Sequence, residues 1–402
     1  MTVPDDREFR RFWPVILACF CLAVYAWGFG FYGQSIYLAE LRRLHGWPAS
    51  WITSATTTFY LGGALLMPFV HSAMVRLGPR TVLCGGAILL GLGATGFSRA
   101  EAPWQLYVAG MAMSAGWAGT TGTAIATTLS FWFDRGRGLA ISLALNGASA
   151  AGFIVAPLLV QLSQGLGLQA AVWRSVLGGL CLVLPVLLLC VGRPPARQAG
   201  GPATLAGGDD ERPAFARRSQ ALRDGHFWSV ALPFALALSA QVGFIVHMVA
   251  FLLPALGADG TSIAVSLASV AAMAGRIGLG CVIHRLHQRR ASAASFLVQA
   301  VGLGLMLGLP DRAAALYAGA VLFGLSVGNV ITLPAILVQR EFATRSFGLI
   351  IGLSGAIGQF ALALGPGLFG VLRDLTGAYA AVLVVCIGLQ VTAAGLVLRR
   401  WA

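Results

Sequence analysis

The sequence predicts an all-α membrane protein: twelve transmembrane helices in two six-helix bundles related as parallel repeats, with both termini in the cytoplasm. Three observations carry this. Of 402 residues, 57% are hydrophobic and only 10% charged, with a mean hydropathy of +0.80. A soluble domain carries about 25% charged residues, so so few charges could not cover a soluble chain of this length. Apolar runs of membrane-crossing length, about 20 residues, recur along the whole chain. Several local features also recur at a near-constant offset.

Twelve runs meet or approach the required length: 12–38, 50–75, 80–98, 104–132, 138–164, 171–192, 226–255, 261–283, 291–309, 314–339, 346–371 and 378–398. The first follows a mixed-charge start (Asp5, Asp6, Arg7, Glu8, Arg10, Arg11). It is too long for a signal-peptide core and lacks a small-residue cleavage site, so it reads as a retained helix. The stretch 193–225 breaks the rhythm with Pro194, Pro195, Gly200, Gly201, Gly207, Gly208 and mixed charges. That is the composition of a polar linker. The expected organisation is therefore a bundle over 1–192, a cytoplasmic linker over 193–225 and a second bundle over 226–402.

The net charge of +13 comes with 27 basic residues, all of them Arg. They sit in short clusters between apolar runs, whereas a nucleic-acid binder lines one face or groove with them. Placing the N-terminus inside puts 20 Arg on the cytoplasmic side and 6 outside, the bias expected of cytoplasmic loops. The seven cysteines lie within apolar runs without metal or disulfide spacing and read as small buried residues.

Phe12-Trp13 opens the first span and Phe227-Trp228 the seventh. Arg76 to Arg80 closes the second span; Arg285 to Arg290 closes the eighth, 209 residues later. Phe133 to Gly138 leads into span five as Phe342 to Gly348 leads into span eleven, and Pro157 and Pro366 occupy matching depths. Matches in the same orientation imply parallel repeats about an axis along the membrane normal.

Three stretches carry a resemblance: Gly46-Trp47-Pro48-Ala49-Ser50, Trp132 to Ala140, and Gly275-Arg276-Ile277 followed by Gly280. With the six-plus-six pattern they resemble the major facilitator superfamily, and within it the monocarboxylate porter branch and its bacterial oxalate/formate exchanger relatives. The resemblance implies alternating access around a mid-membrane site, a bacterial inner-membrane location, and a span-eight Arg that anchors the substrate carboxylate. Arg76, Gly78, Arg80, His284, Arg285 and Arg289 fall in the loops that gate such proteins. Two departures stand out. The acid usual before the loop arginines is replaced by Val75, and by His284 in the second half. Ala272 stands where relatives often carry an acid one turn before the arginine. The charge relay that latches one state is therefore expected to be weakened or rebuilt, and the usual carboxylate-based proton coupling is in question.

Arg276 lies near the middle of span 261–283, while every one of the 14 acidic residues falls in a loop, a tail or a span end. A charge at that depth costs about 2.5–3.5 kcal/mol on insertion scales. The guanidinium offers five donors matching a carboxylate bidentately and does not deprotonate. The expected counter-ion is the substrate; the alternative is packing against helix-end carbonyls. The exchanger relatives' second cation, in span eleven, aligns with Ser354, and one cation favours a monoanion. His247 is a candidate substrate donor and proton carrier, or a structural histidine between helices. Tyr25 and Tyr32, seven residues apart, should share a helical face and form an aromatic cavity wall. Gln34, nearer the outside, is a further candidate for substrate contact, and Tyr37 and Trp47 read as interface anchors. Asn146, Gln241, Asn329 and Gln359 are amides at mid-membrane depth, suited to substrate contact or to bonding between helices. The threonine run (Thr120, Thr121, Thr123, Thr127, Thr128) reads as helix packing.

These residues point to a secondary transporter for a small organic monoanion. The alternative is an exporter of hydrophobic or amphiphilic compounds. An enzyme would need clustered nucleophiles, bases or metal ligands, and the six histidines are scattered. A monomer is expected in the lipid bilayer, with no nucleic-acid partner, no metal, and no cofactor beyond a coupling proton or counter-anion.

Overall fold

The computed structural model describes residues 6–47, 49–133, 136–192, 213–215 and 217–399. Every regular element among them is helical, as hydrocarbon demands: a helix satisfies its own backbone within one segment. The chain divides into two compact units, Met1–Glu211 and Arg212–Ala402. The boundary falls inside the segment expected to be a linker, of which residues 193–212 and 216 lie outside the described residues. So do Asp134 and Arg135 of the junction before span five.

The first unit contains α1 (Asp6–Trp27), a π-helical turn (Gly28–Tyr32), α2 (Gly33–His45), α3 (Ala49–Leu77), α4 (Pro79–Ser98), α5 (Pro103–Ala118), α6 (Gly122–Ser130), α7 (Arg137–Leu166) and α8 (Leu168–Cys190). The second contains the single turn α9 (Arg218–Ala221), then α10 (Gly225–Val282), α11 (Gln288–Gly308), α12 (Ala313–Glu341), α13 (Phe347–Thr376) and α14 (Tyr379–Leu398). Among the described residues, 11 helices are long and apolar enough to cross a membrane. Two of them belong to α10, which breaks at Gly257 (φ 66°, ψ −176°), backbone that favours glycine. The span expected over 104–132 differs: it is divided into α5 and α6 by Gly119–Thr121, so neither piece reaches crossing length alone.

The internal repeat is visible in how each unit packs. In the first, α4 lies against α5 and α8, α1 against α7 and α8, and α3 against α5. In the second, α11 lies against α12 and α14, and α10 against α12, α13 and α14. Allowing for α10 being two spans, the pairings correspond one to one. Arg80 and Arg289, 209 residues apart, extend the correspondence. Arg80 Nε donates to the Val191 carbonyl (2.6 Å) at the end of α8. Arg289 Nη1 donates to the Val397 (2.9 Å) and Arg399 (2.8 Å) carbonyls at the end of α14. Each guanidinium thus answers orphan carbonyls of a helix C-terminus and meets the negative end of its dipole.

Of the expected gating residues, Arg76 and Arg285 are exposed, and Gly78 (φ 84°) makes the tight α3–α4 turn. His284 lies in the 3-10 turn Ile283–Arg285, its side chain outside the description. Arg289 corrects the sequence reading: it is buried in the first turn of α11, not displayed in a loop. Besides the two carbonyls, Nε and Nη2 donate to Glu341 (2.7 and 2.5 Å), and Nη2 also to Ser229 Oγ (2.9 Å). Five donors meet five acceptors. His226 Nε2 lies 3.2 Å from the same carboxylate. The acid missing from the loop is therefore supplied by the last residue of α12. At the corresponding place, the first unit has Trp132 and an aromatic cluster, with Phe133 against Phe9 (5.3 Å) and Phe12 (6.0 Å). The segment entering α10 is docked here as well. The Ala343 N–H donates to the Pro213 carbonyl (3.0 Å), and the Phe215 N–H to Ser346 Oγ (2.7 Å).

Two stability experiments follow. A Cβ at Gly275 would run into the Leu325 carbonyl, whereas one at Gly278 meets nothing within 4 Å. Gly275→Ala should lower the melting temperature of the purified protein by the several degrees that overpacking costs (about 1–3 kcal/mol), and Gly278→Ala should leave it near wild type. Glu341→Ala strands a buried guanidinium, a loss of about 3–5 kcal/mol; the double variant Arg289→Met/Glu341→Leu should recover much of the lost melting temperature, and no recovery would refute the pairing.

Candidate functional site

The carboxy-terminal part of α10 packs along α12 through a seam of small residues. Added side-chain atoms at Gly324 and Gly275 would strike the Ala268 and Leu325 backbones, and at Gly328 the Ala272 carbonyl (2.7 Å). Small residues let helix backbones approach where lipid supplies no hydrophobic drive. Arg276 follows Gly275 directly, and the seam carries its side chain across Gly328. It is 2% exposed, with Nε donating to the Gly328 carbonyl (3.2 Å). This is carbonyl contact of the kind weighed above as the packing alternative, made at mid-helix. The Gly328 carbonyl holds Nε and orients the planar fork.

Thr332 Oγ1 donates to the same carbonyl (3.3 Å). Asn329, next along α12, donates through Nδ2 to the Leu325 carbonyl (3.2 Å) and towards Ser295 Oγ of α11 (3.5 Å). Its Oδ1 is buried without a hydrogen-bond partner, as is Ser354 Oγ on α13. Arg276 and Thr332 therefore share one carbonyl, while Asn329, adjacent to Gly328 in sequence, turns its amide to Leu325 and Ser295. Gln359 is buried on α13. His247 meets different neighbours: its ring lies tilted against Tyr379 of α14 (5.9 Å between centroids, 50° between planes), and its edge lies near Gly370 of α13.

Gln241 takes up one of the two roles open to it, bonding between helices. It is 1% exposed and accepts from Gln299 Nε2 of α11 (2.7 Å). Gln299 in turn accepts from Gln390 Nε2 of α14, which also reaches the Ala237 carbonyl (3.2 Å). Three buried amides tie three helices of the second unit together. Gln299 and Gln390 were missed, although each carries the signal that singled out Gln241, an amide inside an apolar run.

In the first unit, Tyr25 and Tyr32 do not share a face. Tyr25 packs against Gly91 and Gly179 of α4 and α8, its hydroxyl donating to the Ala87 carbonyl (3.2 Å). Tyr32 lies against Gly152 of α7. The π turn Gly28–Tyr32 is the cause. Its i→i+5 pairing widens the turn, so seven residues no longer return to the same side. The carbonyls of the widened turn are answered by phenols: Tyr37 donates to Phe29 (3.4 Å) and Tyr60 to Gly30 (3.0 Å). Tyr37 is therefore buried, not an interface anchor. Gln34 faces α3, accepting from Thr56 Oγ1 (2.9 Å), while its Nε2 has no partner. Asn146 is buried on α7 beside Gly147, where α7 presses on the Phe20 carbonyl of α1. Among the described residues no cluster of His, Cys, Asp and Glu is set to hold a metal.

Comparison with known proteins agrees with this architecture. The chain is 28% identical over 395 residues to monocarboxylate transporter 13 of Rattus norvegicus, covering 96% of this chain and 87% of that protein. It is 30% identical over 337 residues to monocarboxylate transporter 11 of Mus musculus, covering 79% and 72%. Two solved structures share the fold. They are the human organic anion transporter MFSD10 (TM-score 0.72, 16% identity, covering 98% of this chain and 100% of that one) and the fucose:proton symporter of E. coli (0.68, 15%, 96% and 98%). The family model described as Major Facilitator Superfamily matches residues 18–366. With helices of crossing length in both repeat-related units, the chain is a multi-pass membrane protein and belongs to the Major Facilitator Superfamily of transporters.

Proposed function

We propose that this transporter moves a small organic monoanion across a bacterial inner membrane by alternating access, holding the carboxylate on Arg276. The observation that carries the reading is a permanently charged side chain, 2% exposed, inside a membrane-crossing segment (Asp259–Val282). Such a charge is retained for function and marks a substrate path. The similarity to monocarboxylate transporters supports a carboxylate as the cargo. Asn329 Oδ1 and Ser354 Oγ, buried without partners, suit a substrate's hydroxyl or a bound water. Ser354 in place of a second cation favours one carboxylate over two. Arg276 stays charged, so proton coupling, if the cycle has it, runs through His247 or the substrate's own carboxyl; exchange against a second anion is the other arrangement.

In this reading α5 and α6 together make a twelfth crossing. An even number of crossings with the arginine bias described above puts both termini in the cytoplasm, and the protein works as a monomer.

Uptake of a radiolabelled short monocarboxylate into proteoliposomes tests the assignment. Arg276→Ala should cut uptake about a hundredfold or more, the loss of two hydrogen bonds to a charged group. Arg276→Lys should remain impaired because the fork is gone, and unlabelled monocarboxylates should compete better than dicarboxylates. Undiminished uptake by Arg276→Ala would sink the reading. Efflux of unrelated amphiphiles that ignores Arg276 would favour the exporter instead.

A further inference from the structure

The break between α5 and α6 leaves a second polar feature deep in the membrane-crossing region, in the unit that does not contain Arg276. α5 ends at Ala118 and α6 begins at Gly122. Glycine at 119 lets the turn press on α4, where a Cβ on Gly86 would stand 3.0 Å from Thr120 Cγ2. Thr120 Oγ1 bonds back to the Gly116 carbonyl (2.9 Å), competing with the helical ladder. On either side of the break the backbone is answered: the Thr121 N–H donates to the Trp117 carbonyl (3.0 Å), and the Ile125 N–H to the Thr121 carbonyl (2.9 Å). The N–H groups between them, on Gly122, Thr123 and Ala124, belong to the first turn of α6 and have no acceptor within it. Among the described residues no carbonyl outside α6 takes them.

A second observation points to a ligand. Thr121 is the N-cap residue, yet its side chain caps nothing. It is 4% exposed, and its Oγ1 has no hydrogen-bond partner. Its attachment at the N-cap places that oxygen at the mouth of α6. At about 1.5 Å per residue, α5 and α6 extend roughly 24 and 14 Å from the break, so the break lies well inside the span. Non-helical backbone at such depth is tolerated where it lines a watered cavity or is buried in protein. The start of a helix carries about half a positive charge, and half-helix N-termini in membranes face anionic groups.

We propose that the N-terminus of α6 is an anion site of the first unit. It takes one carboxylate or one small inorganic monoanion on the N–H groups of Gly122, Thr123 and Ala124 and on the Thr121 hydroxyl. The threonine run thus contains a binding residue as well as packing ones. α6 packs with α1, α3 and α7.

The test uses full-length purified protein carrying Arg276→Gln, so that its result does not depend on the function proposed above. Formate, acetate and chloride are titrated separately in a HEPES buffer free of other small anions, and the rise in melting temperature is followed. A saturable rise is expected. Thr121→Val should weaken the apparent affinity about tenfold, as loss of a hydrogen bond to a charged group does. Gly122→Pro removes a donor at the helix position where proline fits best. It leaves Thr121 in the extended backbone (φ −73°, ψ −179°) that a residue before proline adopts, and it too should weaken binding. Should one variant fail to fold, the other decides. A rise with formate and acetate alone makes the ligand an organic carboxylate; a rise with chloride as well makes it a general monoanion. Absence of a saturable rise, or a rise indifferent to both substitutions, overturns the proposal.

Discussion

Polar groups withdrawn into hydrocarbon must be answered by the protein itself, and this constraint organises both units. Water is absent, so each bare N–H, carbonyl or charge carries its full desolvation cost. The chain answers in three ways. A small-residue seam brings the Gly328 carbonyl to Arg276. Three glutamines are linked across α10, α11 and α14. Phenols reach carbonyls of the π turn. Each device also fixes which helices may be neighbours, so satisfying polar groups and choosing topology are one problem.

The two units share a packing plan and differ in how they are locked. Arg80 and Arg289 each close the end of the last helix in their unit. Among the described residues, the second unit adds a buried carboxylate and a histidine to that arginine, and the first places Phe133 against Phe9 and Phe12 near the corresponding junction. A saturated ion pair is charge-assisted and orientation-specific; an aromatic cluster is held by buried area and edge-to-face geometry.

Much of this architecture was legible in the sequence, because span length and repeat offsets report directly on hydrocarbon thickness and symmetry. Arg276 was legible for the same reason: a charge inside an apolar run has few structural excuses. Side-chain direction was not. Tyr25 and Tyr32 are seven apart in a window that looks uniformly α-helical, and nothing in GFGFY announces that the pairing there skips a residue. Gln241 carried an ambiguous signal, because an amide at that depth reads alike whether it waits for cargo or for Gln299. The gap between α5 and α6 was hidden because Gly119-Thr120-Thr121 is compatible with a membrane helix; the turn arises from contact with Gly86 on a neighbouring segment. Glu341 was seen only as a span end, since its partner Arg289 is 52 residues away.

The π turn also indexes everything that follows it in the first transmembrane segment. A π turn amounts to one residue more than the α-helical path needs. Removing a single residue between Gly28 and Tyr32 would return that path to 3.6 residues per turn and rotate α2 by about 100° relative to α1. Gln34 would then swing away from Thr56, and the Tyr37 hydroxyl would leave the carbonyl it now serves. The azimuth of thirteen residues, Gly33 to His45, is set by one extra peptide unit upstream of them.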